Sequence, residues 1–157
     1  MRLLGEEHPY TITAMAGLGH TYENMGKYNE AEELETKVLD ARIKVLGNEH
    51  PDTTTAMGNL AVTYRDLGKY PDAEKLQKQC LDIRFRQLGE EHPYTITAMS
   101  ALGHTYQVMG KYREAEELET QVLNARMRIL GKEHPETANA MEYLAKSYGS
   151  LDRKSVV

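Results

Sequence analysis

A 42-residue period constrains this chain more than any other property. GEEHPYT begins at Gly5, GNEHPDT at Gly47, GEEHPYT again at Gly89 and GKEHPET at Gly131. A chain with such a period folds as an array, because one unit cannot bury its apolar face alone and must stack against its neighbours. The predicted organisation is a single array over residues 1–157. Residues 1–4 close a preceding helix, 5–46, 47–88 and 89–130 are full units, and 131–157 is a partial fourth. Units one and three agree at 32 of 42 positions, units one and two at only 21. That alternation points to duplication of a two-unit block. It also replaces the one compact core that length alone would suggest with an elongated row of local cores.

Within each unit the punctuation marks two helices. His-Pro, an acidic or tyrosyl residue and Thr open the first, as in Pro51, Asp52 and Thr53, since proline suits the first turn and an acid there complements the helix dipole. Gly26, Gly68 or Gly110 stops it. In between, Met15, Leu18, Tyr22 and Met25 recur with helical spacing, as do Met57, Leu60, Tyr64 and Leu67, giving a one-sided apolar stripe. This is helix A. The second run, Tyr28 through Ala31, Leu34, Val38 and Leu39 to Leu46, keeps helical spacing for about five turns and ends at Gly47, a glycine placed as a C-cap. This is helix B. No segment shows period-two alternation with β-branched enrichment, so strands are not expected. After Leu151 the glycine-lysine-tyrosine turn is replaced by Asp152, Arg153, Lys154 and Ser155, and no second helix is expected in unit four.

Composition removes several classes of function. With 24 acidic and 19 basic side chains the net charge is -5, and no block of lysine and arginine offers a footprint for nucleic acid or anionic lipid. No stretch approaches the ~18 apolar residues of a membrane span. The single cysteine, Cys80, forms no internal disulfide, so a cytoplasmic location is expected.

The residues Met57, Leu60, Ala61, Tyr64, Gly68, Tyr70, Ala73 and Cys80, with their counterparts Met15 to Ala31 and Met99 to Ala115, resemble the tetratricopeptide signature. The longer unit and its "LG-x-EHP-x-T" joint resemble the 42-residue units of kinesin light chains. Related arrays occur in fungal nucleotide-binding, death-receptor-like proteins. The resemblance implies an all-α fold, a right-handed α-solenoid of antiparallel helix pairs with helix A lining a concave groove. It also implies a protein-interaction scaffold that binds a peptide or partner helix, with a cargo adaptor or the sensor or oligomerisation arm of a larger nucleotide-binding signalling protein as alternatives. Carried over position by position, the groove would present His20, Asn24, Asn59, Arg65, His104, Tyr143 and Lys146 to a partner. Asn59 matches an asparagine that recurs in kinesin light chains and clamps the cargo backbone; Gly17, Ala101 and Tyr143 stand at the equivalent places.

Chemistry-bearing residues read differently when the repeat is considered. His8, His50, His92 and His134 occupy the same joint in each unit, held about a repeat apart, whereas zinc needs about four ligands within ~2.3 Å of one ion. They are expected to build the joint, and no metal, cofactor or catalytic residue is expected. His20 has Glu23 and Asn24 on its face, but unit three has Gln107 and Val108 there, so the trio is not a repeated device. Cys80 shares its position with Val38 and Val122 and is expected to be buried. The runs Glu30, Glu32, Glu33, Glu35 and Glu114, Glu116, Glu117, Glu119 open helix B, where they are expected to favour its dipole and solvate its outer face. Without obvious polar caps at either end, self-association end to end is a further expectation.

Overall fold

The computed structural model describes residues 4–155. Among them seven helices follow in order: α1 Pro9–Asn24, α2 Tyr28–Leu46, α3 Pro51–Asp66, α4 Tyr70–Leu88, α5 Pro93–Val108, α6 Tyr112–Leu130 and α7 Pro135–Ser155. Sequential helices pack as antiparallel pairs and there is no strand among the described residues. The chain divides into two compact units, Met1–Ile83 and Arg84–Val157, with the division inside α4.

The joint histidines cap the A helices. His8 Nδ1 accepts a hydrogen bond from the Tyr10 N–H at 3.2 Å, His50 from Asp52 at 3.0 Å, His92 from Tyr94 at 3.1 Å and His134 from Glu136 at 3.2 Å. The imidazole thus fills the role usually taken by Ser, Thr, Asp or Asn, satisfying one of the amides that a helix start leaves without a partner. An arginine near the end of each B helix then ties it to the next A helix. Arg42 donates to the Asp52 carbonyl at 3.0 Å, Arg84 to that of Tyr94 at 3.2 Å and Arg126 to that of Glu136 at 3.2 Å.

Gly26, Gly68 and Gly110 end the A helices at φ +72°, +77° and +77°, a region other residues enter only with strain. Asp152 stands at the equivalent place in α7. No glycine stop exists there, so Asp152 to Ser155 continue α7 as helix instead of starting another. Of the helix end expected over residues 1–4, residues 1–3 lie outside the described residues, and Leu4 is exposed and not helical.

In the first unit Ile12, Val38, Leu39, Ala56, Met57, Leu60, Cys80 and Ile83 form one apolar cluster. Ala31, Ala73 and Ala115 have no exposed surface; a larger side chain there would hold the paired helices apart. Cys80 is buried, as its sequence position implies, with its Sγ 3.4 Å from the Thr54 carbonyl.

The structure departs from the repeat pattern at three places. Leu18 was placed in the packing stripe but is 44% exposed, whereas its counterpart Leu60 is 2% exposed: α3 has helices packed before and after it, and among the described residues α1 has none before it. Tyr148, which the 42-residue step matches to the buried Tyr106, is 48% exposed, because among the described residues no helix follows α7 to cover that face. Glu35 and Glu119 were assigned to the solvated face of helix B, yet each is only 5% exposed. Each lies between an alanine one turn before it and a valine one turn after it on the inner stripe, Ala31, Glu35, Val38 and Ala115, Glu119, Val122, all buried.

Candidate functional site

The A helices carry the seven residues expected to meet a partner, and the two units present them differently. In the first unit, His20 and Asn24 lie on α1, Asn59 and Arg65 on α3. His20 is exposed, its Nδ1 3.4 Å from Glu23 Oε2. Arg65 faces Asp66 Oδ1 at 3.4 Å. The side chains of Asn24 and Asn59 are exposed, so their amides keep both donor and acceptor capacity for another molecule. The structure does not bring His20 or Asn24 into a hydrogen bond or ion pair with Asn59 or Arg65 among the described residues.

In the second unit, three of the residues converge. The His104 ring on α5 sits 5.5 Å from the Tyr143 ring on α7, tilted by 50°. Lys146 Nζ lies 5.3 Å from the Tyr143 centroid and 3.0 Å from Glu142 Oε1. The Glu142 carboxylate holds the Lys146 ammonium above the usual lysine range. An imidazole, a phenol and an ammonium thus occupy adjoining places on one surface. That set suits hydrogen bonding to a peptide backbone and packing against an aromatic or aliphatic side chain.

Beneath this surface is a polar cluster that sequence reading missed. The Gln107 amide on α5 donates to Glu119 Oε1 at 2.6 Å, to Ser147 Oγ at 2.9 Å and lies 2.9 Å from the Tyr143 carbonyl. Ser147 Oγ in turn donates to Glu119 Oε2 at 2.7 Å. Burial pushes the Glu119 carboxyl up to about 7, against the opposing effect of the Ser147 and Gln107 hydrogen bonds. The network joins α5, α6 and α7 and fixes the backbone of Tyr143. Its sequence signal is a glutamate spaced four residues after a buried alanine, Ala115 to Glu119, on a helix otherwise read as acid-faced.

The same positions in the first unit are occupied but not joined into such a network. Glu35 corresponds to Glu119, Glu23 to Gln107 and Thr63 to Ser147. Glu35 Oε2 and Thr63 Oγ1 are both buried without a hydrogen bond. Burial raises the Glu35 carboxyl; the nearby Thr63 hydroxyl lowers it, Glu23 raises it and His20 lowers it. Gly19 leaves room for this carboxyl: a Cβ there would stand 3.2 Å from Glu35 Cγ.

Among the described residues no group of three or more His, Cys, Asp or Glu side chains is arranged to hold a metal ion, and no helix is long and apolar enough to cross a membrane.

Helix pairs of this kind, with small residues at fixed places between A and B and a 42-residue step, define a helical repeat protein. The tetratricopeptide repeat family model matches residues 1–44, 19–84 and 64–128, and the chain belongs to that family. It is similar to the nearly identical TPR-like repeats of a provisional kinesin light chain from Podosopora anserina, at 30% identity and TM-score 0.83, over 97% of this chain and 72% of that one. BtubC (BKLC) from P. vanneervenii shares the fold at 20% identity and TM-score 0.84, over 97% of this chain and 60% of that one. The first TPR of Spaghetti (RPAP3), solved bound to the HSP90 peptide SRMEEVD, shares it at 21% identity and TM-score 0.68, over 92% and 96%. No curated protein matches the chain.

Proposed function

We propose that this chain is a non-catalytic scaffold that binds a peptide or partner helix along its A helices, in the cytoplasm. One observation carries the reading. Residues that fill the cores recur from unit to unit, whereas the side chains at matched A-helix positions outside the cores change: the exposed His20 and Lys146 and the half-buried Val62 and His104 occupy one such position. A constant frame with a changing face is what selective recognition requires. Support also comes from the peptide held by the Spaghetti domain on the same fold.

Binding would draw on a preorganised surface. The helices fix the side chains before the partner arrives, so little conformational entropy is lost on association. Asn59 and Asn24 would bond the partner's backbone, while His104, Tyr143 and Lys146 would contact its side chains. Arg65 and His20 complete the set. A kinesin-type cargo adaptor is favoured over a sensor arm by the 30% identity to the Podosopora protein.

The test is a pull-down with the full chain against its Asn59→Ala, Arg65→Ala double variant. Recovery of partners should fall about tenfold, the cost of roughly 1.4 kcal/mol. Unchanged recovery refutes the assignment.

A further inference from the structure

In the second unit one buried carboxylate ties three helices to the surface that would meet a partner. Glu119 on α6 accepts the Gln107 amide at Oε1, 2.6 Å away, and the Ser147 hydroxyl at Oε2, 2.7 Å away. The same Gln107 nitrogen lies 2.9 Å from the Tyr143 carbonyl and 2.9 Å from Ser147 Oγ. Glu119 is 5% exposed and Ser147 has no exposed surface, so these groups satisfy one another and not solvent. The set of residues is peculiar to this unit. In the first unit Glu23 stands in place of Gln107, and in the intervening repeat Gln77, which has no proton to exchange, stands in place of Glu119.

We infer that this network is a proton-operated switch beneath the surface formed by His104, Tyr143 and Lys146: one proton gained at Glu119 turns the Ser147 hydroxyl onto the Tyr143 carbonyl and resets the backbone that carries the Tyr143 ring. Donor and acceptor counts fix the route. The Gln107 amide nitrogen can only donate towards Oε1, so the proton goes to Oε2, where the Ser147 oxygen can accept it. Ser147 then loses the acceptor for its own O–H. With no solvent to turn to, it bonds the carbonyl four residues earlier, as a serine inside a helix does. That carbonyl belongs to Tyr143, which gains a further donor while Gln107 keeps its bond to Oε1. The carboxyl also borders, with Ser100, Val122, Ala140 and Tyr143, a cavity of about 10 Å³, room for about one water, by which a proton reaches it without parting the helices. Burial places the Glu119 carboxyl at about 7, so both states are populated at neutral pH. The charge acting on it from its own helix is Glu116, which raises it further. From α5 it faces the neutral Gln107 amide, and from α7 the Ser147 hydroxyl and Tyr143. Lys146 and Glu142 pair with each other at 3.0 Å, and the His104 ring lies against that of Tyr143. The inference rests on the groove reading above for its consequence to a partner, though the rewiring itself does not depend on it.

The test follows two carbons of the whole chain by carbon-13 NMR from about pH 5 to about pH 9: the side-chain carboxyl of Glu119 and the backbone carbonyl of Tyr143. Both should pass through one transition with a shared midpoint at about 7, and the Tyr143 carbonyl should move downfield as the pH falls because it takes up a donor. Glu119→Gln should abolish the Tyr143 transition. Ser147→Ala should keep the Glu119 titration and silence Tyr143. His104→Asn should leave both transitions in place, which separates the switch from titration of the imidazole. A Tyr143 carbonyl that does not titrate with Glu119, or that still does so in Glu119→Gln or Ser147→Ala, would overturn the inference, as would its loss in His104→Asn. Circular dichroism checks that each variant folds, and the two wild-type curves decide alone where a variant does not. No partner enters these measurements. Unchanged recovery in the Asn59, Arg65 pull-down would therefore sink the groove reading alone, and a silent Tyr143 carbonyl in the wild type would sink the switch alone.

Discussion

At Glu119 the competition between burial and hydrogen bonding sets the behaviour of a single side chain. Its carboxyl titrates near 7 in the folded chain against 4.5 for an ordinary glutamate, so the folded state binds this proton more tightly than the unfolded state. The protonated acid therefore favours folding, and that contribution is full below about pH 4.5 and is lost progressively as the pH rises to about 7. The loss is on the order of 3 kcal/mol. Urea denaturation of the wild type and of Glu119→Gln should show the variant gaining stability relative to wild type across pH 4.5–7 and holding a constant advantage above it. A difference that does not change with pH would contradict the assignment. Gln77 stands at the matched place in the intervening repeat and is buried, so glutamine is already compatible with this position. Glycines give a second contrast at this scale. Gly17→Ala, in an open helical position, should stabilise the chain by about 0.5–1 kcal/mol. Gly19→Ala should gain less, because its Cβ would meet Glu35 Cγ at 3.2 Å. Paired thermal melts of the two variants separate the cases.

The helices owe their ends to side chains more than to propensity. Each A helix begins on a histidine whose ring accepts the N–H two residues on, and each of α1, α3 and α5 ends on a glycine with positive φ. His50→Ala should cost about 1 kcal/mol through loss of the α3 cap, while His50→Asn, which can accept the same N–H, should restore most of it. Denaturant midpoints of the two variants check this, and equal losses would mean that the ring acts by packing instead. The alanines between helices act in the other sense. Ala115, with no exposed surface, leaves no volume for a longer side chain, and Ala115→Leu should destabilise by about 1–3 kcal/mol through overpacking.

In each unit the core is assembled from neighbouring helices, so perturbations should stay local. Met99 is 1% exposed in the second unit; Met99→Ala should cost about 2–5 kcal/mol. Hydrogen exchange should then accelerate in α5 and α6 while protection in α1 and α2 is retained, as expected where repeats interact chiefly with adjacent ones. Uniform acceleration across all seven helices would show a single cooperative unit. The repeat, the helix pairs, the joint histidines, the glycine stops and the burial of Cys80 were all legible in the amino-acid order, because they depend on spacing along one helix and on conformational preferences that are local. The candidate residues on the A helices were legible only as positions. What their side chains meet was not: Tyr143 beside His104 comes from residues far apart in sequence, and the acidic run of helix B looked uniformly solvated until Glu35 and Glu119 proved to face inward. The sequence by itself determined an all-α tetratricopeptide array with a 42-residue step, since periodicity and turn chemistry act within each unit. Only the tertiary structure decided which carboxylates are buried and which groups meet them, because that depends on what the neighbouring helices bring against the same few ångströms of space.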